Sequence, residues 1–257
     1  MATSKEATDQ KLDDFFDEEP LSRTSSQSTA SVSDVALLHA TNFSPTKTFF
    51  IHAHGLPAFR VFPARDTSIK ITDPSGTTVF TSERPSRWTA TTSMHSASGE
   101  TLGQMTGDRF SNFPLRVIDI NLLGADGTET VKIKRVGLAT RACVFEYGGW
   151  EWKWRYGYRK EGAKASGHTL LVLQRKKQGS GEEEVDQVVA KLLRDHAADE
   201  EGGTKATDAG RGGRLELGLV DEERTVDVLV IMSCLVMLKK EIDRRIWLSR
   251  GLPLDAL

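Results

Sequence analysis

The sequence predicts a mainly β protein in which a sheet closes around one C-terminal helix. Three observations lead there. Val228 to Leu238 is an eleven-residue run in which only Ser233 carries a polar side chain. At 1.5 Å per residue it measures about 16 Å, too short for a bilayer core of about 30 Å. The chain before it, from Thr48 onward, breaks into short runs of β-formers separated by turn residues every 8 to 12 positions or so, the texture of a sandwich or barrel. A helix apolar on every side must be surrounded on every side, and the chain's own sheet is the economical wall.

Residues 1–45 are rich in Ser, Thr, Asp and Glu and poor in apolar residues. They are expected to be a disordered acidic tail, because they bury too little to offset chain entropy. Leu12-Asp13-Asp14-Phe15-Phe16-Asp17-Glu18-Glu19 is an acidic island with two aromatics, and Arg23 precedes Ser25 and Ser26 in a basic-directed phosphorylation pattern. The island could be a short partner-docking motif and the serines a phosphorylation site, but the composition of a Ser-rich acidic tail is the plainer explanation of both.

The candidate strands are Phe49–His54, Ala58–Phe62, Ser68–Thr72, Thr77–Thr81, Trp88–Thr92, Thr101–Thr106, Leu115–Asn121, Thr130–Val136, Arg141–Tyr147, Trp150–Tyr158 and Thr169–Arg175. Asp73-Pro74-Ser75-Gly76 and Ala125-Asp126-Gly127 supply tight turns between neighbours. Val188–Leu193 satisfies both a helical and a strand pattern. An acidic, Gly-rich insertion is expected near residues 198–213, then a last strand at Arg214–Leu219. Glu222, Glu223 and Asp227 suit a helix N-terminus, and Lys239, Lys240, Arg244 and Arg245 suit its C-terminal end. Ser233 can bond back to a carbonyl one turn earlier.

Hydrophobic content of 38% supports one core in 257 residues. Cys143 and Cys234 have neither disulfide nor metal spacing and read as buried thiols in a reducing compartment. With no signal-like N-terminus and no membrane-length segment, the expectation is a cytoplasmic protein, and Asn42-Phe43-Ser44 is not expected to be glycosylated.

A net charge of −2 hides an asymmetry. Between residues 130 and 177 twelve Lys and Arg face three Glu, a local balance of roughly +9. In Trp150-Glu151-Trp152-Lys153-Trp154-Arg155-Tyr156-Gly157-Tyr158, strand alternation puts the five aromatics on one face and the charges on the other. The aromatics are read as core walls around the helix, in preference to a stacking platform for bases or sugars. Lys153 and Arg155 then project together, as do Lys132 and Lys134, and the four could form a basic patch for an anionic headgroup. A solvated strand face is the plainer explanation.

His52 and His54 are two apart on a strand but lack an evident third ligand, so no metal is expected. Gly210-Arg211-Gly212-Gly213-Arg214 resembles one fragment of an RGG tract, too little to expect nucleic acid. No phosphate-binding Gly loop, nucleophile elbow or metalloprotease helix occurs, and no catalytic constellation or cofactor is expected.

The aromatic block Phe145-Glu146-Tyr147-Gly148-Gly149-Trp150-Glu151-Trp152-Lys153-Trp154-Arg155, preceded by many short strands and followed by a late apolar helix over Val226–Leu238, resembles the tubby C-terminal-like superfamily. That superfamily includes LURP-one-related proteins, phospholipid scramblases and small fungal proteins of similar layout. The resemblance implies a closed antiparallel barrel of about twelve strands around a central C-terminal helix, covering roughly residues 46–250. It favours a strand at Val188–Leu193. A barrel so plugged has no lumen, which directs binding to its outer wall or rims. Tubby proteins bind phosphoinositides through basic residues outside the barrel; here Lys132, Lys134, Lys153 and Arg155 are chosen from charge and strand parity alone. The Cys-rich palmitoylation segment of scramblases is absent, so lipid transport is not expected. The expectation is a non-enzymatic binding module, residues 46–257, for a phosphoinositide or anionic membrane surface, peripheral at the membrane. The alternative is a protein-interaction scaffold that recruits a partner through the acidic tail and insertion.

Overall fold

The computed structural model describes residues 43–56, 67–85, 91–107, 117–124, 127–136, 141–158, 161, 170–177, 186–194, 209–218 and 224–249. They form twelve strands and one helix. The strands are β1 (Lys47–Leu56), β2 (Ser68–Thr72), β3 (Thr78–Glu83), β4 (Thr91–Ser96), β5 (Thr101–Thr106) and β6 (Ile118–Gly124). They continue as β7 (Gly127–Arg135), β8 (Cys143–Tyr147), β9 (Trp150–Tyr156), β10 (Leu170–Lys177), β11 (Gln187–Leu193) and β12 (Ala209–Leu217), and the helix α1 spans Arg224–Ser249. Each strand pairs antiparallel with its sequence neighbours, and β12 returns to β1, so the sheet closes into a barrel without edges.

Alternation builds the wall. Ile118, Ile120 and Leu122 on β6, Val131 and Ile133 on β7, and Cys143 and Phe145 on β8 point inward. Trp152 and Trp154 on β9 and Leu171 and Leu173 on β10 complete that side. The apolar run of α1 fills the space they enclose: from Val228 to Leu238 no residue is more than 5% exposed. Each such aliphatic side chain contributes about 1.5–3 kcal/mol when fully buried. A helix about 10 Å across needs a ring wider than eight strands, whose bore their own side chains just fill. Twelve strands supply that width.

One polar bond ties plug to wall. The Trp154 indole N–H donates to Ser233 Oγ at 2.9 Å, and the Ser233 hydroxyl donates to the Val230 carbonyl at 2.9 Å. The lone polar residue of the run thus satisfies both itself and a buried indole. At the N-terminal end Lys47 Nζ bonds Asp227 Oδ2 at 2.7 Å, anchoring the first turn of α1 to the start of β1.

Several expectations need amending. Val188–Leu193 is strand, within β11. The stretch 209–213, expected in an insertion, instead opens β12. Its glycines serve backbone approach: a Cβ at Gly212 would lie 2.0 Å from the Ile51 carbonyl oxygen, and one at Gly213 2.3 Å from that of Leu193. Composition read that segment as loop because it lacks side chains, whereas the sheet requires their absence. Tyr158 does not join the inward aromatic face; β9 ends at Tyr156, and Tyr158 is 67% exposed. The segment at Trp88–Thr92 is represented by β4, which starts at Thr91, and Ala58–Phe62 lies outside the described residues. The helix also runs eleven residues past the apolar stretch, to Ser249. Of the expected tail only 43–45 are described, and there the Phe43 ring packs against the outer wall under Lys191 Nζ, at 4.8 Å from its centroid.

Ser233→Ala should therefore destabilise the protein by about 1–3 kcal/mol, since it strands the buried Trp154 N–H. Chemical denaturation monitored by tryptophan fluorescence measures this; a change below about 0.5 kcal/mol would show that the bond is not a determinant of stability.

Candidate functional site

Two basic regions emerge from this frame, one on the outer wall and one at a rim. Strand parity sends Lys132 and Lys134 of β7 outward, and both are exposed. Lys134 pairs with Val144 of β8, which pairs with Lys153 of β9. Lys134 and Lys153 therefore share one cross-strand row, two strands and about 10 Å apart. Lys132 lies opposite Asp119 of β6, and Glu146 faces Glu151, which in turn faces Lys176. Carboxylates thus interleave with the lysines.

Arg155 shares the outer face but is engaged within the protein. Its guanidinium forms a fork on Glu161, with Nη1–Oε2 at 2.7 Å and Nη2–Oε1 at 2.6 Å, while Nε donates to Gln174 Oε1 at 2.8 Å. The side chains are 13% and 4% exposed. Burial raises the Glu161 carboxyl, but hydrogen bonds from Arg155 and the Tyr158 N–H outweigh it and hold the carboxyl below the usual range. Arg155 also stacks under the Tyr158 ring at 5.0 Å. The structure brings Lys132, Lys134 and Lys153 together, and makes Arg155 a brace beside them.

The second region is the rim where the C-terminal half of α1 leaves the barrel. A clasp holds it: Glu241 accepts from Arg194 Nη2 at 2.9 Å, from the Gly210 N–H at 2.9 Å and from the Tyr156 hydroxyl. Burial raises the Glu241 carboxyl, but the Arg194 charge and these hydrogen bonds dominate and place it below the usual carboxylate range. The Tyr156 hydroxyl is pushed well up, by burial first and the Glu241 charge second. Beside the clasp lies a small cleft of about 30 Å³. Arg135 at the end of β7, Arg141 just before β8, Cys143 at the start of β8, and Lys240 and Arg244 of α1 line it. These cations come from segments a hundred residues apart, so neither the basic run 130–177 nor the charged end of α1 signalled their meeting.

The remaining candidates carry less chemistry. His52, exposed on β1, has its Nε2 3.0 Å from Thr72 Oγ1, and among the described residues no three His, Cys, Asp or Glu come together around a common centre. Both cysteines are buried free thiols; burial pushes Cys143 up and Cys234 up to about 12, which keeps them protonated and unreactive. A cavity of about 90 Å³ between α1 and the walls of β1–β6 is mainly apolar, with Ile69, Met105, Leu235 and Leu238 among its lining residues. The Asp243 carboxylate at that cavity is paired with Lys239. Among the described residues no helix is long and apolar enough to cross a membrane. The acidic island and most of the acidic insertion, on which a partner-recruiting scaffold would depend, lie outside the described residues.

No protein-family model and no curated protein matches the chain. A solved structure of a protein from Arabidopsis thaliana is similar, at 13% identity and a TM-score of 0.40, over 75% of this chain and 93% of that one. The barrel described above rests on its own strand pairing.

Two outcomes follow from these contacts. Arg155→Ala leaves Glu161 buried without its partner and should destabilise by about 3 kcal/mol, whereas Lys153→Ala should stay within about 0.5 kcal/mol; urea denaturation of both variants checks the contrast. Glu241→Gln should cost about 3–5 kcal/mol near neutral pH, because Arg194 loses the buried carboxylate paired with it. The folded Glu241 carboxyl lies below its unfolded value, so its contribution is present above the unfolded value and lost as pH falls through the folded one. The gap between wild type and variant should hence narrow in acid, as a series of melts from pH 7 down to pH 2 or so would record.

Proposed function

We propose that this barrel is a non-enzymatic binding module of the tubby-like kind, docking on anionic membrane surfaces with phosphoinositide as the favoured ligand. The observation that carries the reading is the placement of Lys132, Lys134 and Lys153 on one outer region of a barrel whose interior is filled by its own helix. With that interior occupied, recognition falls to the surface, where lysines on a rigid wall act as mobile point charges for phosphates. Asp119, Glu146 and Glu151 among them temper the field, which suits a weak, salt-sensitive and reversible contact. Arg155 supports the geometry by holding Glu161 and Gln174 beside Lys153. In this reading the protein works in the cytoplasm as a peripheral membrane component.

Co-sedimentation of the full chain with vesicles, with and without phosphoinositide, tests it across a salt series. Each lysine near an anionic surface contributes about 1 kcal/mol, so a Lys132/Lys134/Lys153→Ala variant should bind about a hundredfold more weakly while melting like wild type. Binding should also fall as salt rises. Absence of binding at low salt, or equal binding by the triple variant, would remove the outer wall as the contact surface.

A further inference from the structure

The barrel interior is unevenly filled at the rim where α1 leaves it. Inward positions of β7, β9 and β10 stay large there, with Ile133, Trp154 and Leu171 fully buried. On β1, β3 and β4 the inward side chains shrink toward the same rim: Ile51 gives way to Ala53, Phe80 to Ser82 and Met94 to Thr92. The Glu241 clasp fastens α1 toward β9–β12, through Tyr156, Arg194 and Gly210. The cavity of about 90 Å³ lies on the other side of the helix, where those small side chains leave room against β1–β6. Protein interiors keep few voids larger than a water molecule, so a space of this size within a wall otherwise packed to closure marks a place for something else.

The lining decides what fits. Ile69, Met105 and Ile118 form the sheet side, Leu235, Leu238 and Ile242 form the helix side, and no aromatic ring is among the described lining residues. A surface so largely aliphatic favours carbon over water. An apolar cavity of about 150 Å³ takes one benzene, so in proportion this one takes roughly four carbon atoms. The cavity is partly open, and Arg84, Lys239 and Asp243 border it. The Lys239 ammonium is paired with Asp243 there, which leaves recognition to the chain of the ligand and its polar end to the charged border.

We propose that this cavity binds the short unbranched chain of a neutral aliphatic amphiphile, about four carbons deep, between α1 and the β1–β6 wall. Seated there, the chain touches helix and sheet at once and completes the packing that Ala53, Ser82 and Thr92 leave open. The site is separate from the outer-wall lysines and does not depend on their role.

The test titrates the full chain with straight-chain alkan-1-ols from ethanol to heptan-1-ol. The methyl resonances of Ile69, Met105, Ile118, Leu235 and Leu238 are the readout. They should shift saturably, and each added methylene should tighten binding about fourfold, the worth of one buried CH₂. That gain should level off near butan-1-ol or pentan-1-ol, once the cavity is full.

Ser82→Leu directs a larger apolar side chain into the cavity and should weaken pentan-1-ol at least tenfold. Ala53→Val is a smaller intrusion from β1, expected to weaken it about threefold or more, and it replaces Ser82→Leu if the latter melts well below wild type. Glu129→Gln, exposed on β7, should bind pentan-1-ol as wild type does. Absence of saturable shifts at these methyls, an affinity independent of chain length, or undiminished binding in both folded cavity variants overturns the proposal. Tighter binding of benzyl alcohol than of pentan-1-ol overturns the unbranched chain as the occupant.

Discussion

The whole molecule depends on enclosing one helix. Ten of the eleven side chains from Val228 to Leu238 are apolar, and they cover every side of the helix. A half-exposed amphipathic helix could have lain on an open sheet; this one could not, because any open side would leave apolar surface in water. Closure of the sheet follows, and so does its circumference, set by the width of the helix and its side chains. The register places Trp154 opposite Ser233, so the one polar side chain in the run meets the one indole that needs an acceptor there.

Enclosure has a functional consequence. Filling the barrel with the chain's own side chains occupies most of the space that other barrels leave as a lumen, with a cavity of about 90 Å³ remaining between helix and wall, and the proposed contact surface accordingly lies on the outer wall. The wall is built from alternating residues, so every second position is available for charge without disturbing the core. Lys132, Lys134 and Lys153 occupy such positions. Arg155 occupies one as well, yet its planar fork finds Glu161 and Gln174, and it stabilises the wall instead of facing outward.

At the rim the constraint is different. There α1 leaves the apolar interior and must exchange hydrophobic contacts for polar ones. Glu241, Arg194, Tyr156 and the Gly210 N–H achieve this in one buried network, and Gly210 itself has no room for a side chain, since a Cβ would lie 2.3 Å from Ile242 Cγ1. Arg135, Arg141, Lys240 and Arg244 line the adjoining cleft.

Much of this was legible in the amino-acid order. Strand periodicity, the Asp73 turn, the inward face of Trp152 and Trp154 and the enclosed helix are all local patterns, and local patterns survive without knowledge of the partner strand. The sequence also nominated Lys132, Lys134 and Lys153 correctly as outward-facing, since side-chain parity is a property of the strand itself. What it could not supply was contact across long separations. The bond of Trp154 to a residue 79 positions away, the capture of Arg155 by Glu161 beyond the end of β9, and the placement of Gly212 and Gly213 inside β12 each required the strand register. So did the cleft, whose cations come from the β7–β8 rim and from α1. Periodicity alone therefore determined an enclosed helix within a β wall, whereas ring closure decided which charges meet, because only register and crossing geometry bring distant segments within the few ångströms at which those charges interact.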